Sequence, residues 1–196
     1  MGTGEMNFQK KIVLGLLILW AILLIVFGLF KAGIFSSKKI TVYFFKNQSD
    51  GSLTFVEVTR QSKTGLLGSS LEEKIKSAMT ELIKGPGSDE TTSGYISCVP
   101  SEAEILGVKV EDNLIYLDFD ENIESGGGIS EIRGRLAQIV FTATQFNPDA
   151  GVRILIGGKE IKSFSGEGIT DVEKPMYRKD FSEFLRGENN EGKNPS

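Results

Sequence analysis

An apolar segment near the N-terminus most constrains what this chain can fold into. Residues 12–30 form 19 consecutive positions without a charge, and only Gly15 and Gly28 lie outside the hydrophobic set. At ~1.5 Å of rise per residue, a helix of this length is roughly 28 Å long, close to the ~30 Å hydrocarbon core of a bilayer. The segment therefore predicts one transmembrane helix, preceded by a short N-terminal segment at residues 1–11.

A cleaved signal peptide fits the same segment less well. Its apolar region usually has ~7–15 residues, followed by small residues at positions −3 and −1. Cleavage after Ala32 would place Phe30 at −3, and cleavage after Gly33 would place Lys31 there. The flanking charges do not decide the orientation of the helix, because lysines precede and follow it in nearly equal number.

The composition excludes several kinds of chemistry. The 196 residues include no His and one Cys, and 22 Lys+Arg against 26 Asp+Glu give a net charge of −4. This excludes a His general base, a His-ligated zinc site, a thiolate cluster and an intrachain disulfide. The acidic balance also argues against a nucleic acid partner, since phosphate binding needs a concentrated basic face. We expect no metal and no cofactor.

The rest of the chain divides into three parts. Residues 31–38 predict a short tether, and residues 39–186 predict one folded domain. Residues 187–196 are polar and rich in Asn and Glu, so they have little to bury and predict a disordered tail.

Hairpins and helices alternate in the predicted domain. Hairpins are expected where turn residues separate two β-branched or aromatic runs. The paired runs are 40–45 with 53–59, 105–110 with 114–119, and 152–156 with 159–163. A capping box of Ser70 and Glu73 begins one helix, which stops at Gly85, and apolar positions over 129–143 mark a second helix.

This order of elements indicates the α+β class. We expect a mostly antiparallel sheet of about three strands plus extra hairpin strands, covered by two helices on one face and preceded by the transmembrane helix.

Two clusters offer chemistry without meeting the requirements of a known site. Asp118 and Asp120 lie two apart at a strand end, so a paired-carboxylate or calcium site is a hypothesis. An EF-hand frame from Asp118 fails, because Ile123 and Ile129 stand where Gly and Glu are needed. The three glycines at 126–128 precede a helix but fit neither phosphate-binding glycine pattern. We therefore interpret the two carboxylates as ordinary polar residues at a strand end that leads into a loop, and the glycines as a flexible connection.

The single cysteine, Cys98, lies between small and apolar residues. A buried, unpaired thiol is the expected state, and an intermolecular disulfide is the alternative.

Several segments, taken in order, resemble one known family. They are Val56–Arg60, Leu82–Pro86, Gly94–Pro100, the hairpin from Leu106 to Asp118, Leu136–Phe146, Val152–Gly158 and Pro175–Phe181. Together they cover about residues 40–181, and their order is similar to that of the GerMN (germane) domain of sporulation and spore-germination proteins. Tyr116-Leu-Asp118 departs from the Val-Asp-Leu type of strand in the family.

The resemblance implies a fold and a cellular setting. Such domains are non-enzymatic, lie outside the cytoplasmic membrane on a lipid or helix anchor, and resemble the ring-building modules of secretion and sporulation channels. It therefore implies a single-pass protein of the cell membrane, with its domain on the extracytoplasmic side and its N-terminus, residues 1–11, in the cytoplasm. The namesake sporulation protein carries two copies of the domain and a lipid anchor, whereas this chain has one copy and a helix.

Five residues are candidates for a structural or interaction role. Arg60 and Arg178 end strand-like segments, and their guanidinium groups are expected to brace against Asp118, Asp120 or Asp180 and pin the terminal segment.

The predicted function is a membrane-anchored assembly or scaffold element of the cell envelope, without catalytic or cofactor-binding residues. Its expected partners are membrane lipid, through the N-terminal helix, and other envelope proteins or a second copy. The alternative is a binding module for an envelope ligand such as peptidoglycan or a germination solute. An enzyme that uses Asp118 and Asp120 is a third hypothesis.

Overall fold

A computed structural model describes residues 3–31, 39–62, 69–164 and 171–185. Helix α1 (Thr3–Lys31) forms one compact unit, and the described part of the chain from Lys39 onward belongs to a second. The predicted tail, and the predicted tether after Lys31, lie outside the described residues.

Helix α1 is continuous over 29 residues and contains the apolar segment. Its described side chains are exposed along the helix, including Trp20 at 66%. Within the described residues, no helix combines the length and the hydropathy of a membrane span. The transmembrane helix predicted at residues 12–30 is therefore not confirmed.

The first predicted hairpin forms an antiparallel pair of nine-residue strands. Strand β1 (Lys39–Asn47) pairs with β2 (Leu53–Gln61) without a register shift, from Lys39 opposite Gln61 to Asn47 opposite Leu53. The short strand β3 (Tyr95–Ile96) pairs antiparallel with the end of β1, so the sheet has the order β2-β1-β3.

Helix α2 (Leu71–Ile83) begins at the predicted capping box. The Ser70 hydroxyl accepts from the Glu73 N–H at 3.2 Å, and the Glu73 carboxylate accepts from the Ser70 N–H at 3.0 Å. This reciprocal pair satisfies two N–H groups that a helix start would leave without partners. A five-residue helix, α3 (Ser88–Thr92), follows and had no counterpart in the sequence prediction.

The second and third hairpins build a mixed sheet. Strands β4 (Ile105–Glu111) and β5 (Leu114–Phe119) are antiparallel, and the turn residues Asp112 and Asn113 both have positive φ, as a two-residue hairpin turn requires. Strand β6 (Gly151–Ile156) lies parallel to β5, and β7 (Lys159–Glu160) returns antiparallel to β6. Strand β7 ends three residues earlier than predicted.

Helix α4 (Ile129–Ala143) makes the parallel pairing possible, because parallel neighbours need a crossover of a dozen or more residues. The 3₁₀ turn Thr144–Phe146 extends it, and the predicted helix is confirmed. Apolar side chains from both sheets, α2 and α4 form one core, in which Val42, Met79 and Leu117 are fully buried.

The prediction of a single sheet is wrong, whereas the α+β class is confirmed. The strands form one antiparallel sheet of three and one mixed sheet of four. The two sheets do not join along the edge of β1 that faces away from β2. Side chains of α4 and of Gln145, just past its end, already bond the backbone groups of that edge.

Candidate functional site

The five predicted residues do not form one cluster, and each bonds a different part of the domain. Arg60 on β2 makes a two-pronged contact with Glu90 of α3, with Nη1 2.5 Å from Oε1 and Nη2 on Oε2. Its guanidinium also lies 5.7 Å from the centre of the Phe44 ring. The hydrogen bonds from Arg60 hold the pKa of Glu90 below its ordinary value. The partner of Arg60 is therefore Glu90 of α3, and not one of the predicted aspartates.

The two neighbouring carboxylates bind separate backbone segments. Asp118 Oδ1 accepts from the Gly158 N–H at 2.7 Å and so ties β5 to the last hairpin turn. Asp120 Oδ1 accepts from the Glu104 N–H at 2.8 Å, and its Oδ2 accepts from Asn122 Nδ2 at 2.6 Å. These contacts support turns and strand ends, as expected of carboxylates at a strand end. Within the described residues, no group of three or more acidic or Cys side chains is arranged to hold a metal.

Arg178 does pin the terminal segment, although its partner is a helix end and not an aspartate. Its Nε donates to Thr144 Oγ1 at 2.8 Å, and Nη2 donates to the Phe141 carbonyl at 3.0 Å. The guanidinium also lies over the Phe141 ring, 4.8 Å from its centre. Asp180 stays local, because its Oδ2 accepts from the Tyr177 N–H at 2.8 Å.

Sequence reasoning missed the largest polar feature, a row of buried polar side chains on α4. Gln138 is fully buried and bonds two chain segments at once. Its Oε1 accepts from the Cys98 N–H at 2.7 Å, and its Nε2 donates to the Tyr43 carbonyl at 2.8 Å. One amide side chain thus connects β1, α4 and the segment after β3.

Two further side chains complete the contact of α4 with the edge of β1. Thr142 Oγ1 accepts from the Tyr43 N–H at 3.2 Å. Gln145, just past the helix, accepts from the Thr41 N–H at 2.7 Å and donates to the Thr41 carbonyl at 2.9 Å. The amide of Gln145 therefore pairs with Thr41 much as a neighbouring strand would, and the edge is closed by side chains instead of backbone.

Arg135, one turn before Gln138, is a buried cation whose hydrogen bonds go to carbonyl groups. It is 1% exposed. Its Nε donates to the Cys98 carbonyl at 2.8 Å, and its Nη1 donates to the Ile123 carbonyl at 2.7 Å. Its Nη2 donates to the carbonyl groups of Ser125 and Gly126, at 3.0 Å each. Burial lowers the pKa of Arg135, because the charged form loses hydration. Three of the four bonds hold the segment 123–126 that precedes α4, and the fourth ties α4 to the segment after β3.

A signal for this row exists in the sequence. The polar residues Arg135, Gln138, Thr142 and Gln145 are separated by three, four and three positions, the spacing of one helical face. Apolar residues at this spacing are expected to be buried, but polar residues at the same spacing ordinarily predict a solvated face. This polar spacing indicates a buried face only when the unpaired backbone groups of a strand edge lie beside the helix.

Helix α2 closes a second edge, that of β4, with charged side chains on the surface. Lys76 Nζ donates to the Leu106 carbonyl at 2.9 Å. The pKa of Glu72 is lowered by hydrogen bonds from its own N–H, from the Ser70 side chain and from the Val110 N–H. Glu72 and Lys76 lie one turn apart, so one face of α2 reaches two sites along the same edge.

Cys98 lies where β1 and α4 meet. Its backbone N–H and carbonyl bond Gln138 and Arg135, and a Cβ added at Gly134 would lie 3.0 Å from its Sγ. Burial raises the pKa of the Cys98 thiol to about 11, with a smaller contribution from the Glu131 carboxylate. The thiol is half-buried and protonated at neutral pH.

Comparison with known proteins identifies both a family and a fold. Residues 41–162 match the Germane family, described as sporulation and spore germination. No match was found among curated protein sequences. The tandem GerMN domains of the sporulation protein GerM from Bacillus subtilis are 25% identical, with a TM-score of 0.51, over 72% of this chain and 45% of that chain. This chain therefore spans less than half of the tandem structure.

Two further structures are similar in fold alone. The first GerMN domain of the same Bacillus subtilis protein is 20% identical, with a TM-score of 0.56, over 74% of this chain and 100% of that chain. A Clostridium perfringens protein, described provisionally as a lipoprotein, is 16% identical, with a TM-score of 0.50, over 74% of this chain and 89% of that chain.

Proposed function

The chain belongs to the Germane family, described as sporulation and spore germination, and we propose that it is a membrane-anchored, non-enzymatic assembly element of the cell envelope. The resemblance predicted from sequence is confirmed by this match and by the GerM structures. The anchoring, the assembly role and the extracytoplasmic location are our proposal.

The exposed apolar surface of α1 is the observation that carries the proposal. Ile12, Leu17, Trp20 and Ile25 are each between 47% and 66% exposed, and the described side chains between them are exposed too. Soluble proteins rarely expose a continuous apolar surface of this extent, because contact with water is unfavourable in proportion to its area. Lipid is the environment that covers a helix of this composition on all sides.

The polar chemistry of the domain supports an assembly role. Each predicted candidate residue bonds the domain's own backbone or side chains: Arg60 with Glu90, Asp118 with Gly158, Asp120 with Glu104, Arg178 with Thr144 and Asp180 with Tyr177. Side chains used in this way position loops and strand edges. Function would then lie in surfaces that a partner covers.

Membrane extraction tests the anchor. We expect the full chain to stay with the membrane pellet in alkaline carbonate and to need detergent for release. Replacing both Leu17 and Ile22 by Arg should move it to the supernatant, since a charge at mid-membrane costs about 2.5–3.5 kcal/mol per residue. Replacing the same residues by Ala is the matched control and should leave it in the pellet. Release of the unmodified chain by carbonate would exclude an integral anchor.

Three experiments on cells and cell wall test the location of the domain and its assembly role. Protease added to intact cells should remove the domain if it faces outward and spare it if it faces the cytoplasm. Capture of the detergent-solubilised chain should recover envelope or sporulation proteins above background. Co-sedimentation with purified cell wall, without any protein partner, would favour the ligand-binding alternative instead.

A further inference from the structure

The outer edge of β2 differs from the other long sheet edges in lacking a described partner. In β1, the N–H and carbonyl groups of Thr41 and Tyr43 point away from β2, toward α4. In an antiparallel pair, residues opposite such positions also point outward. Their partners, Thr59 and Glu57, therefore present their backbone groups on the outer side of β2.

Within the described residues, the outward backbone groups of β2 at Phe55, Glu57 and Thr59 have no hydrogen-bond partner. The sheet order places β2 at the end of its sheet. The corresponding groups on the edge of β1 bond α4, and those of β4 meet Lys76 and Glu72 of α2.

Strand β2 also lacks the usual protections of a sheet edge. Exposed edge strands are ordinarily short, bulged, interrupted by Pro or lined with Lys. Strand β2 has nine residues in unbroken register, no Pro and no Lys; its single Arg is bound to Glu90, and Glu57 is its one other charged residue. Leu53 on this strand is 55% exposed. An edge in this state is suited to pairing with another strand.

We propose that β2 pairs antiparallel with β2 of a second copy of this chain, about a two-fold axis at Val58. The two three-stranded sheets then join into one sheet of six. This inference rests on the proposed function in one respect, because anchoring confines copies to one membrane with their domains on the same side. Two-fold pairing also closes the exposed edge of both copies at once.

The charge pattern of β2 rules out two registers and favours this one. A pairing centred on Val56 would place Glu57 opposite Phe55, which offers the carboxylate no donor. A parallel, in-register pairing would stack Glu57 on Glu57, and an antiparallel pairing centred on Glu57 would place the same two carboxylates opposite each other. Like charges directly opposite are destabilising. In the pairing centred on Val58, Glu57 of each copy lies opposite Thr59 of the other copy. A hydroxyl donor therefore stands opposite each of the two carboxylates. Val58 then faces itself across a non-hydrogen-bonded site.

Disulfide trapping of the full chain in membranes tests the register. The two Cα atoms of a non-hydrogen-bonded antiparallel pair are ~4.5 Å apart, within the range that a disulfide spans. In a Cys98→Ala background, Val58→Cys should give at least about five-fold more oxidised dimer than Val56→Cys or Glu57→Cys, whose partners lie beyond disulfide reach in this register. Preferential trapping at Val56 or Glu57, or equal trapping at all three, would overturn the proposal.

A backbone substitution tests the pairing without a crosslink. Thr59→Pro removes an outward N–H, which an edge strand tolerates, whereas Thr59→Val keeps it. We expect the full chain in detergent to sediment as a dimer, Thr59→Val to remain dimeric and Thr59→Pro to be monomeric with unchanged circular dichroism. A monomeric unmodified chain, or a dimeric Thr59→Pro variant, would overturn the proposal. If envelope partners were still captured by that monomer, the proposed function would stand while self-pairing failed.

Discussion

Helices α4 and α2 each close the edge of a β-sheet, and they use opposite kinds of side chain. Helix α4 bonds the edge of β1 through neutral groups, of which Gln138 is fully buried. Helix α2 bonds the edge of β4 through Lys76 and Glu72, which remain near water. The Gln138–Tyr43 and Lys76–Leu106 hydrogen bonds have similar lengths, 2.8 and 2.9 Å, so the difference lies in what happens when one partner is removed.

The comparison shows that burial, more than hydrogen-bond geometry, sets the value of such a contact. When a surface donor is lost, water replaces it at little cost. When a buried donor is lost, the carbonyl or N–H that it served stays unsatisfied, which costs about 1–3 kcal/mol per group. The predictions below are ordered by that reasoning, from the largest loss of unfolding free energy to the smallest.

Arg135→Met is expected to have the largest effect. It would leave the Cys98 and Ile123 carbonyls without their donor and release the loop before α4, which lowers the unfolding free energy by about 3–5 kcal/mol. Denaturant unfolding followed by circular dichroism measures the loss.

Arg133→Met is the matched control. This part-exposed arginine on the same helix bonds Glu183 and the Asp180 carbonyl near the surface, where water can replace it, so its loss should cost about 1 kcal/mol or less. Equal losses would contradict the role of burial.

Gln138→Leu follows, with an expected loss of about 2–3 kcal/mol. Leu has a similar volume but leaves the Cys98 N–H and the Tyr43 carbonyl unsatisfied. The same denaturant titration applies. Gln145→Leu, in a less buried position on the same edge, should cost about half as much. A Gln138→Leu variant as stable as the unmodified protein would show that water can replace the side chain.

The third prediction concerns the pH dependence of stability at Cys98. The folded state holds the thiol proton more tightly, because its pKa is raised to about 11 from an ordinary 9.0. That stabilisation is fully present below pH 9 and is lost as the pH rises toward 11, by about 2 kcal/mol. Unfolding titrations at pH 8 and pH 11 measure it, with Cys98→Ala as the reference for lysine and tyrosine titration. Identical pH profiles for the two proteins would refute the assignment.

Lys76→Ala is expected to have the smallest effect, with a loss below about 0.5 kcal/mol. Lys76 is exposed, and water can solvate the Leu106 carbonyl once the ammonium is gone. Thermal unfolding of this variant beside Gln138→Leu gives the direct comparison of the two edges. A loss near that of Gln138→Leu would mean that the edge of β4 is effectively desolvated.

Local patterns in the sequence determined the elements of the domain. The strands of the first hairpin, the capping box at Ser70 and the turn at Asp112 and Asn113 are short-range features, since turn residues and apolar periodicity act between near neighbours. The family resemblance also followed from the order of such segments. Pairings between distant elements were harder, and the expected partners of Arg60 and Arg178 were wrong for that reason.

Only the tertiary structure decided how the sheets end and which polar residues are buried. From sequence, Arg135 and Gln138 are expected on a solvated polar helix face. In the fold, β1 and the Cys98 segment pack against them and bury them. Hydrogen-bond requirements of a strand edge arise from the fold, not from neighbouring residues, so no local pattern states them. The sequence by itself determined which segments become strands and helices. The fold decided that β1 and β4 are closed by helices while no described segment bonds the outer edge of β2, because an edge exists only once the sheets are assembled.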